Sequence, residues 1–492
     1  MPASGLLTGL SEIVGAEFAL AGDDPAASPA LRDATESRGV SGSAQAVARP
    51  GSPAEVAELM RWCLERGLPL TARGGGTGLA GGAVPDGGVV VELDRLDRIR
   101  SFQPGLWRIE AEAGIRTARL ARVARESGLL FPPDPGASEQ STVGGNIATN
   151  AGGPHAFKYG TTGAWVTGLE VVIPPGEVIR LGGPIRKDVS GYDLRHLLVG
   201  SEGTLGIVTS AWLRLVPAPE SVLGVAAFYE SLDDGCAAVG GVLEAGITAA
   251  ALEFLDSGAL ALSLGSFPAE APEEAGFLVL AEADGSAGEA ERIAAELAAT
   301  LGEGAAGVHR FSGAAASREL WRWRDGVPLA VAAKRGGKLS EDIVVPPERL
   351  AEAIRAIGGI GERHGLEACS WGHAGDGNLH ATLLIDPADA SQLSRAEAAA
   401  GELLDLALEL GGSISGEHGV GTAKASHMAG GMSPGELRLH AAIKACFDPD
   451  GLLNPGKKTP GPGEPPPGPG NVPQGRGDAP PGPGGAGPAG SR

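Results

Sequence analysis

A loop of nine residues, Gly74-Gly75-Gly76-Thr77-Gly78-Leu79-Ala80-Gly81-Gly82, carries six glycines and closes a β-α-β unit. The unit is legible from its punctuation. Ala46-Val47-Ala48-Arg49-Pro50 reads as a short strand, Ser52 caps a helix with Pro53 first and Glu55 in the first turn, and Leu68 to Arg73 is the second strand. A strand that runs into so many glycines lets main-chain N–H groups converge on an anion without Cβ interference, as a pyrophosphate requires. No Gly-Lys-Ser/Thr follows, which excludes a Walker A loop, and a merely flexible connector stays the alternative for this stretch alone.

The rest of the chain narrows the choice. At 492 residues it is too long for one core and predicts two or three domains. A net charge of -21 argues against nucleic acid, so an anionic small molecule needs a local cationic pocket. Cys63, Cys236, Cys369 and Cys446 form no Cys-x-x-Cys pair, so neither an iron–sulfur cluster nor a zinc ribbon is encoded, and they read as thiols of a reducing compartment. The N-terminus lacks a basic, apolar leader, and no run of about 18 apolar residues occurs. The expectation is a cytoplasmic protein, free or peripheral at the inner face of the membrane.

Two later stretches, 372–380 and 413–424, read Gly-His-Ala-Gly-Asp-Gly-Asn-Leu-His and Ser-Ile-Ser-Gly-Glu-His-Gly-Val-Gly-Thr-Ala-Lys. His373, Asp376, His380, Glu417 and His418 crowd into them. The first stretch reads as a hairpin, with a Gly-rich turn before the apolar strand Leu379 to Ile385. Along one straight strand His373 and His380 would face opposite sides, whereas folding back at 375–377 can bring both imidazoles to one mouth. His373, His380 and Glu417 then make a three-ligand set with open positions for substrate or water. Zinc is the first expectation, with manganese or another nitrogen- and oxygen-binding divalent ion fitting almost as well. If Glu417 takes the ion, its neighbour His418 is left as a base. These residues alone say metal-assisted chemistry and do not name the reaction.

Between these landmarks come a buried strand at 88–93, an alternating strand at 107–114, a helix at 117–127, the segment Phe131-Pro132-Pro133-Asp134-Pro135-Gly136 and the Gly/Ser/Thr/Asn-rich run 141–153. The run holds Ser141, Thr142, Gly144, Gly145, Asn146, Thr149 and Gly153, and its apolar Val143 and Ile147 mark it as a second ligand-embracing segment. After the strand Val166 to Ile173 follow 187–194 and Gly200 to Thr209, which includes Gly203, Gly206, Ile207 and Val208. From about Pro217 Ala- and Glu-rich helices at 286–301 and 346–364 alternate with short strands such as 276–281, the pattern of an antiparallel sheet with helices on one face.

In this order the five glycine-rich and strand segments resemble the FAD-binding domain of the vanillyl-alcohol-oxidase and p-cresol-methylhydroxylase superfamily. The His-x-Gly-Asp-Gly-Asn-x-His and Gly-Glu-His-Gly-x-Gly motifs narrow the resemblance to FAD-linked 2-hydroxyacid dehydrogenases, the group of glycolate oxidase flavoprotein subunits, D-lactate dehydrogenases and D-2-hydroxyglutarate dehydrogenases. The resemblance covers about residues 45–457. It implies an α+β fold: a lead-in at 1–44, an FAD-binding domain at 45–217, a cap at 218–457 and a Pro/Gly-rich tail at 458–492 whose composition cannot offset ordering entropy. It also implies that 73–82, with Arg73, Gly74, Gly75, Gly76, Thr77 and Gly78, wraps the FAD pyrophosphate. Residues 133–153, beginning at Pro133, would line the flavin and ribityl chain. Residues 200–208 would hold flavin and adenosine, with Asn454 facing the flavin region. Thr77 stands where some members carry a flavin-linked His, so dissociable FAD is expected.

The same resemblance assigns the substrate carboxylate to Arg324 and Lys338 and places Asn378 with His418 in the catalytic set. The expected reaction is oxidation of a small D-2-hydroxyacid or glycolate to the 2-oxoacid. Gly326, Val327 and Pro328 stand where D-2-hydroxyglutarate enzymes tend to have a further polar group, so a monocarboxylate is favoured. Reoxidation calls for a quinone, an iron–sulfur partner subunit or an electron-transfer protein. Two other readings share the architecture. A non-catalytic flavin subunit of a glycolate oxidase complex is expected to lack the cap motifs that this chain keeps. An alkyl-glycerone-phosphate-synthase-like enzyme tends to carry a His-rich motif where this chain has Gly416-Glu417-His418.

Overall fold

The computed structural model describes residues 3–459. The Pro/Gly-rich tail lies outside them except for Lys458 and Thr459. The first sheet contains β1 (Ala19–Ala21), β2 (Ala46–Ala48), β3 (Leu70–Arg73) and β4 (Val89–Glu92) in the order β1-β2-β4-β3. The pairs β2–β4 and β3–β4 are parallel, as the crossover through the helix Pro53–Leu64 demands. That helix starts as its sequence dictates: the Ser52 hydroxyl accepts the Glu55 N–H, and Val56, Leu59, Met60 and Cys63 turn into the core. The lead-in at 1–44 joins this sheet. Ala19–Ala21 pairs with β2 as the edge strand, and its three residues are too few to show a period in sequence.

A second sheet is wholly antiparallel: β5 (Ile99–Gln103), β6 (Arg108–Glu112), β7 (Val166–Ile173), β8 (Glu177–Gly182) and β9 (Ile207–Arg214), in the order β5-β6-β9-β7-β8. Leu169, Val171, Ile207 and Leu213 join one continuous core with the helix Pro53–Leu64 and the first sheet.

The C-terminal half is built on a seven-stranded antiparallel sheet. Its strands are β10 (Ser221–Tyr229), β11 (Ala251–Leu255), β12 (Phe277–Gly285), β13 (Gly307–Phe311), β14 (Gly337–Val344), β15 (Ala368–His373) and β16 (Asn378–Ile385), in the order β13-β10-β12-β11-β15-β16-β14. One face, including Leu252, Phe254, Val279, Ala281, Leu379 and Leu383, is buried under the helices Leu232–Glu244, Ala287–Gly302, Leu350–Arg363 and Ala390–Glu409. The other face meets the helix Ala314–Ala333 through Leu255, Leu280 and Trp371, and beyond that helix faces the N-terminal half.

Register decides what this second face offers. His373 pairs with Glu253 of β11, Trp371 pairs with both Leu255 and His380, and His380 pairs with Asp342 of β14. Side chains alternate along a strand, so Glu253, Trp371, His373, His380, Asp342 and Lys338 project from one side of the sheet. A slip of one residue in any pair would turn that strand's chemistry into the helical core.

Candidate functional site

A cavity of about 900 Å³ runs between the N-terminal loops and this face of the sheet. Residues 73–78, most of 141–153 and 203–208 border it on one side. Arg324, Lys338, Trp371, His373, His380, Glu417 and His418 border it on the other. The glycines interlock the first side. A Cβ on Gly74 would strike the Thr142 hydroxyl, and one on Gly75 the Gln140 carbonyl, so the loops close on each other and leave the cavity free of side chains there. A long recess bordered by glycine main chain fits a dinucleotide.

The segment 141–153 is not all loop. Val143–Thr149 is a short helix capped by the Thr142 hydroxyl on Gly145 N–H at 3.2 Å and ended by Asn150 at φ 54°. Val143 and Ile147 bury beneath it, which outweighs the poor helix propensity of its glycines.

The hairpin brings the histidines together as the turn allows, with ring centroids of His373 and His380 5.4 Å apart. Glu417 Oε1 lies 3.7 Å from His373 Nε2 and 3.9 Å from His380 Nε2, and one ligand atom from each residue falls within 4.8 Å of the others. His373 Nε2 is buried and too far from Glu417 for a hydrogen bond, so it has no hydrogen-bond partner among the described residues. Its other nitrogen, Nδ1, is 2.5 Å from Glu253 Oε1, the carboxylate–histidine pairing that orients a metal ligand. Burial, then the neighbouring His373 and His418, push the His380 imidazole well below its ordinary value, into the neutral form that ligates. An orphaned nitrogen, a neutral imidazole and a carboxylate at these distances fit a divalent ion.

Glu253 is fully buried and has a second partner. Arg324 Nε and Nη2 lie 2.8 and 2.5 Å from its Oε2. Arg324 borders the cavity but is committed to Glu253, whereas Lys338 has no carboxylate partner among the described residues. Lys338 Nζ donates to Ser340 Oγ at 2.8 Å and stands 5.3 Å above the Trp371 ring. Burial pushes the Lys338 ammonium down to about 8.

The loop carrying Glu417 and His418 contains no helix or strand, and a residue missed in the sequence holds it. Asp342 Oδ2 accepts Ser415 Oγ–H at 3.0 Å and the N–H groups of Gly416, Glu417 and His418 at 2.9 Å each. Burial acts to raise the Asp342 pKa. His418, Lys424 and the loop N–H groups overcome it and hold the carboxyl well below the usual range. His418 then stacks on His380, with centroids 5.5 Å apart and planes at 11°.

Three expected site residues stand back from the cavity. Asn378 donates its amide to Asp342 Oδ1 at 2.6 Å and to Ile343 O at 3.0 Å, so it braces Asp342 and does not line the site. Asn454 donates to the Gly82 and Glu202 carbonyls and holds the loops from behind. Pro133 does not line the cavity, although its neighbours Asp134 and Pro135 do. Missed in sequence were Glu253, Asp342, Glu202, Trp321, Asp325 and Arg38. Arg38 reaches the cavity from the lead-in and pairs with Glu341 at 2.8 Å and Glu397 at 2.7 Å.

Comparison with known proteins agrees with this geometry. Residues 44–182 match the family described as FAD binding domain, and 218–458 the family described as FAD linked oxidases, C-terminal domain. The chain is 38% identical over 414 residues to glycolate oxidase subunit GlcD of Bacillus subtilis, covering 84% of this chain and 88% of that protein. It is 36% identical over 416 residues to a D-lactate dehydrogenase of Anaerostipes hadrus, covering 82% and 87%. Among solved structures, 4-ethylphenol oxidase from Gulosibacter chungangensis superposes with a TM-score of 0.76 at 21% identity, covering 94% of this chain and 97% of that one.

Proposed function

This chain belongs to the FAD-linked oxidases, and from that membership we propose that it oxidises glycolate or a small D-2-hydroxy monocarboxylate to the 2-oxoacid. The observation that carries the reading is the array that the seven-stranded sheet and the loop at 415–421 present to one cavity. Three groups that could hold a metal, a lysine without a carboxylate partner among the described residues and a histidine outside that set border the same cavity as the glycine-rich N-terminal loops.

FAD, when bound, supplies the hydride acceptor. His373, His380 and Glu417 would hold a divalent ion, zinc first, which would supply Lewis acidity toward the substrate hydroxyl. The remaining steps belong to side chains. Lys338 receives the substrate carboxylate. Burial acts to raise the Glu253 carboxyl, but His373 and then Arg324 hold it below its usual range. Glu253 engages His373 Nδ1, which leaves Nε2 as the ring nitrogen that would bind the ion. His418 takes the hydroxyl proton. Asp325 borders the same cavity next to Arg324, and a carboxyl there disfavours a second substrate carboxylate.

Anaerobic bleaching of the bound flavin by glycolate, D-lactate and D-2-hydroxyglutarate tests the reading. The two monocarboxylates are expected to bleach fastest, and chelated, metal-free protein to bleach far more slowly with each. Preference for D-2-hydroxyglutarate would overturn the monocarboxylate assignment. Equal rates in metal-free protein would leave the triad a hydrogen-bonding role, and no bleaching by any acid would favour an accessory flavin subunit.

The lysine sets a pH limb. Its protonated form binds carboxylate, and its pKa is depressed to about 8, so binding weakens as pH rises through that value. The profile of kcat/KM reports the free enzyme, and it should fall by about tenfold per pH unit above the lysine pKa. Lys338→Arg stays protonated throughout and should lose this limb whatever its KM. A wild-type limb that persists in the arginine variant would assign it to another group.

A further inference from the structure

Two buried carboxylates from opposite sides of the cavity hold the Ser415–Gly421 loop, and only one of them belongs to the sheet that carries His373 and His380. Asp342 fixes the N–H groups of 416–418. Glu202, from the N-terminal half, takes the next pair: Val420 N–H on Oε1 at 2.9 Å and Gly421 N–H on Oε2 at 2.7 Å. Lys458 Nζ stands 3.2 Å from the same Oε1.

The main chain of Glu202 is tied to the FAD-cradling loops. Its N–H donates to Ala148 O at 2.8 Å, within the helix Val143–Thr149, and its carbonyl accepts Asn454 Nδ2 at 2.7 Å. The residue sits at φ 54°, a conformation rare for a side chain of this size, and is 5% exposed. Strain of this kind persists where the surroundings over-determine it. The loop side is equally constrained. Gly419 and Gly421 take φ 82° and 48°; a Cβ on Gly419 would come within 2.9 Å of Glu202 Oε1, and one on Gly421 would strike the Ala80 carbonyl.

We propose that Glu202 is a positioning residue that couples the two cofactor sites, so that bound FAD tightens binding of the divalent ion at His373, His380 and Glu417. The inference rests on the metal reading above. Asp342 anchors the 416–418 N–H groups to the sheet, and the end of the loop also meets Lys458 N–H through the Gly421 carbonyl while Thr422 and Ala423 N–H reach the Ala80 carbonyl. Glu202 is the side chain that joins Val420 and Gly421 to the loops at 144–149 and 200–208. The Glu202 contact forms when the loops at 144–149 and 200–208 are ordered, and those are the loops that border the dinucleotide recess. Ordering by one cofactor therefore lowers the ordering cost for the other, and linkage makes the effect reciprocal.

The test is zinc affinity, measured by competition with a chromogenic chelator, on protein stripped of FAD and on the same protein refilled. Wild type should bind zinc about tenfold tighter or more when FAD is present. In Glu202→Gln one acceptor oxygen becomes an N–H donor facing a loop N–H, and the two affinities should converge to within about twofold, with Glu202→Asp keeping part of the difference. A purely structural loss would weaken zinc in both forms and preserve the ratio, which would overturn the assignment to Glu202. Equal wild-type affinity with and without FAD would overturn the coupling itself, even if Glu202→Gln failed to fold. Absence of zinc binding in both wild-type forms would overturn the metal reading together with it.

Discussion

His418→Ala is expected to retain its FAD and its metal ion and yet to reduce its flavin about 10² to 10⁴ times more slowly in anaerobic stopped flow, the usual contribution of a positioned base. The reasoning separates the side chain from the loop that carries it. What places residue 418 is its N–H, bonded at 2.9 Å to Asp342 Oδ2, and alanine keeps that bond. What is lost is an imidazole stacked 5.5 Å from His380, with its Nε2 3.9 Å from Glu417 Oε1. The proposed ligands His373, His380 and Glu417 all remain, so metal content should hold. A fully loaded variant whose flavin is reduced at close to the wild-type rate would remove His418 from the proton transfer, and one that loses its metal would make the histidine a structural neighbour of the triad.

The site was legible in sequence where its chemistry is local. The spacing of His373 and His380 around a glycine turn set both the hairpin and the shared face, and register pairing bears this out: Gly372 opposes Leu379 and His373 opposes Asn378. Strand Val166–Ile173 and the helix cap at Ser52 were likewise written in a few adjacent residues. What escaped were partners far away along the chain. Glu253 meets His373 across 120 residues and Glu202 meets Val420 across 218. An isolated Asp or Glu inside an apolar strand or a glycine loop carries no periodic signal that says what it will face. Asn378 and Asn454 failed in the opposite direction. Their motif positions suggested contact with ligand, but an amide offers its donors to whichever buried acceptors the fold supplies, and here those are Asp342, Ile343, Gly82 and Glu202. The helix Val143–Thr149 was masked by composition, because its stability comes from the burial of two apolar side chains and a cap.

Asp342→Asn should weaken metal binding by about 10- to 100-fold and depress turnover at least as much, while FAD content stays at the wild-type level. The carboxylate is fully buried and accepts from five donors: the Ser415 hydroxyl, three successive loop N–H groups and the Asn378 amide. An amide can accept on only one side. If its oxygen faces the loop, its NH₂ meets Asn378 Nδ2, donor against donor. Asn378 could turn its unpartnered Oδ1 toward that NH₂, but the turn would set Nδ2 away from the Ile343 carbonyl and bring oxygen toward oxygen. If the NH₂ faces the loop, three N–H groups lose their acceptor together, and a buried donor left without a partner costs about 1–3 kcal/mol. Either way the 415–418 segment loses the charge that fixes it, and Glu417, one of the three proposed ligands, lies on that segment. The loops at 73–78 and 141–153, which border the cavity and are proposed to hold FAD, make no hydrogen bond to Asp342, which is why flavin should stay. Chelator competition gives the metal affinity and the flavin absorbance gives FAD content. Wild-type metal affinity in this variant would show that Glu417 is placed by the ion and the two histidines without help from the loop's anchor.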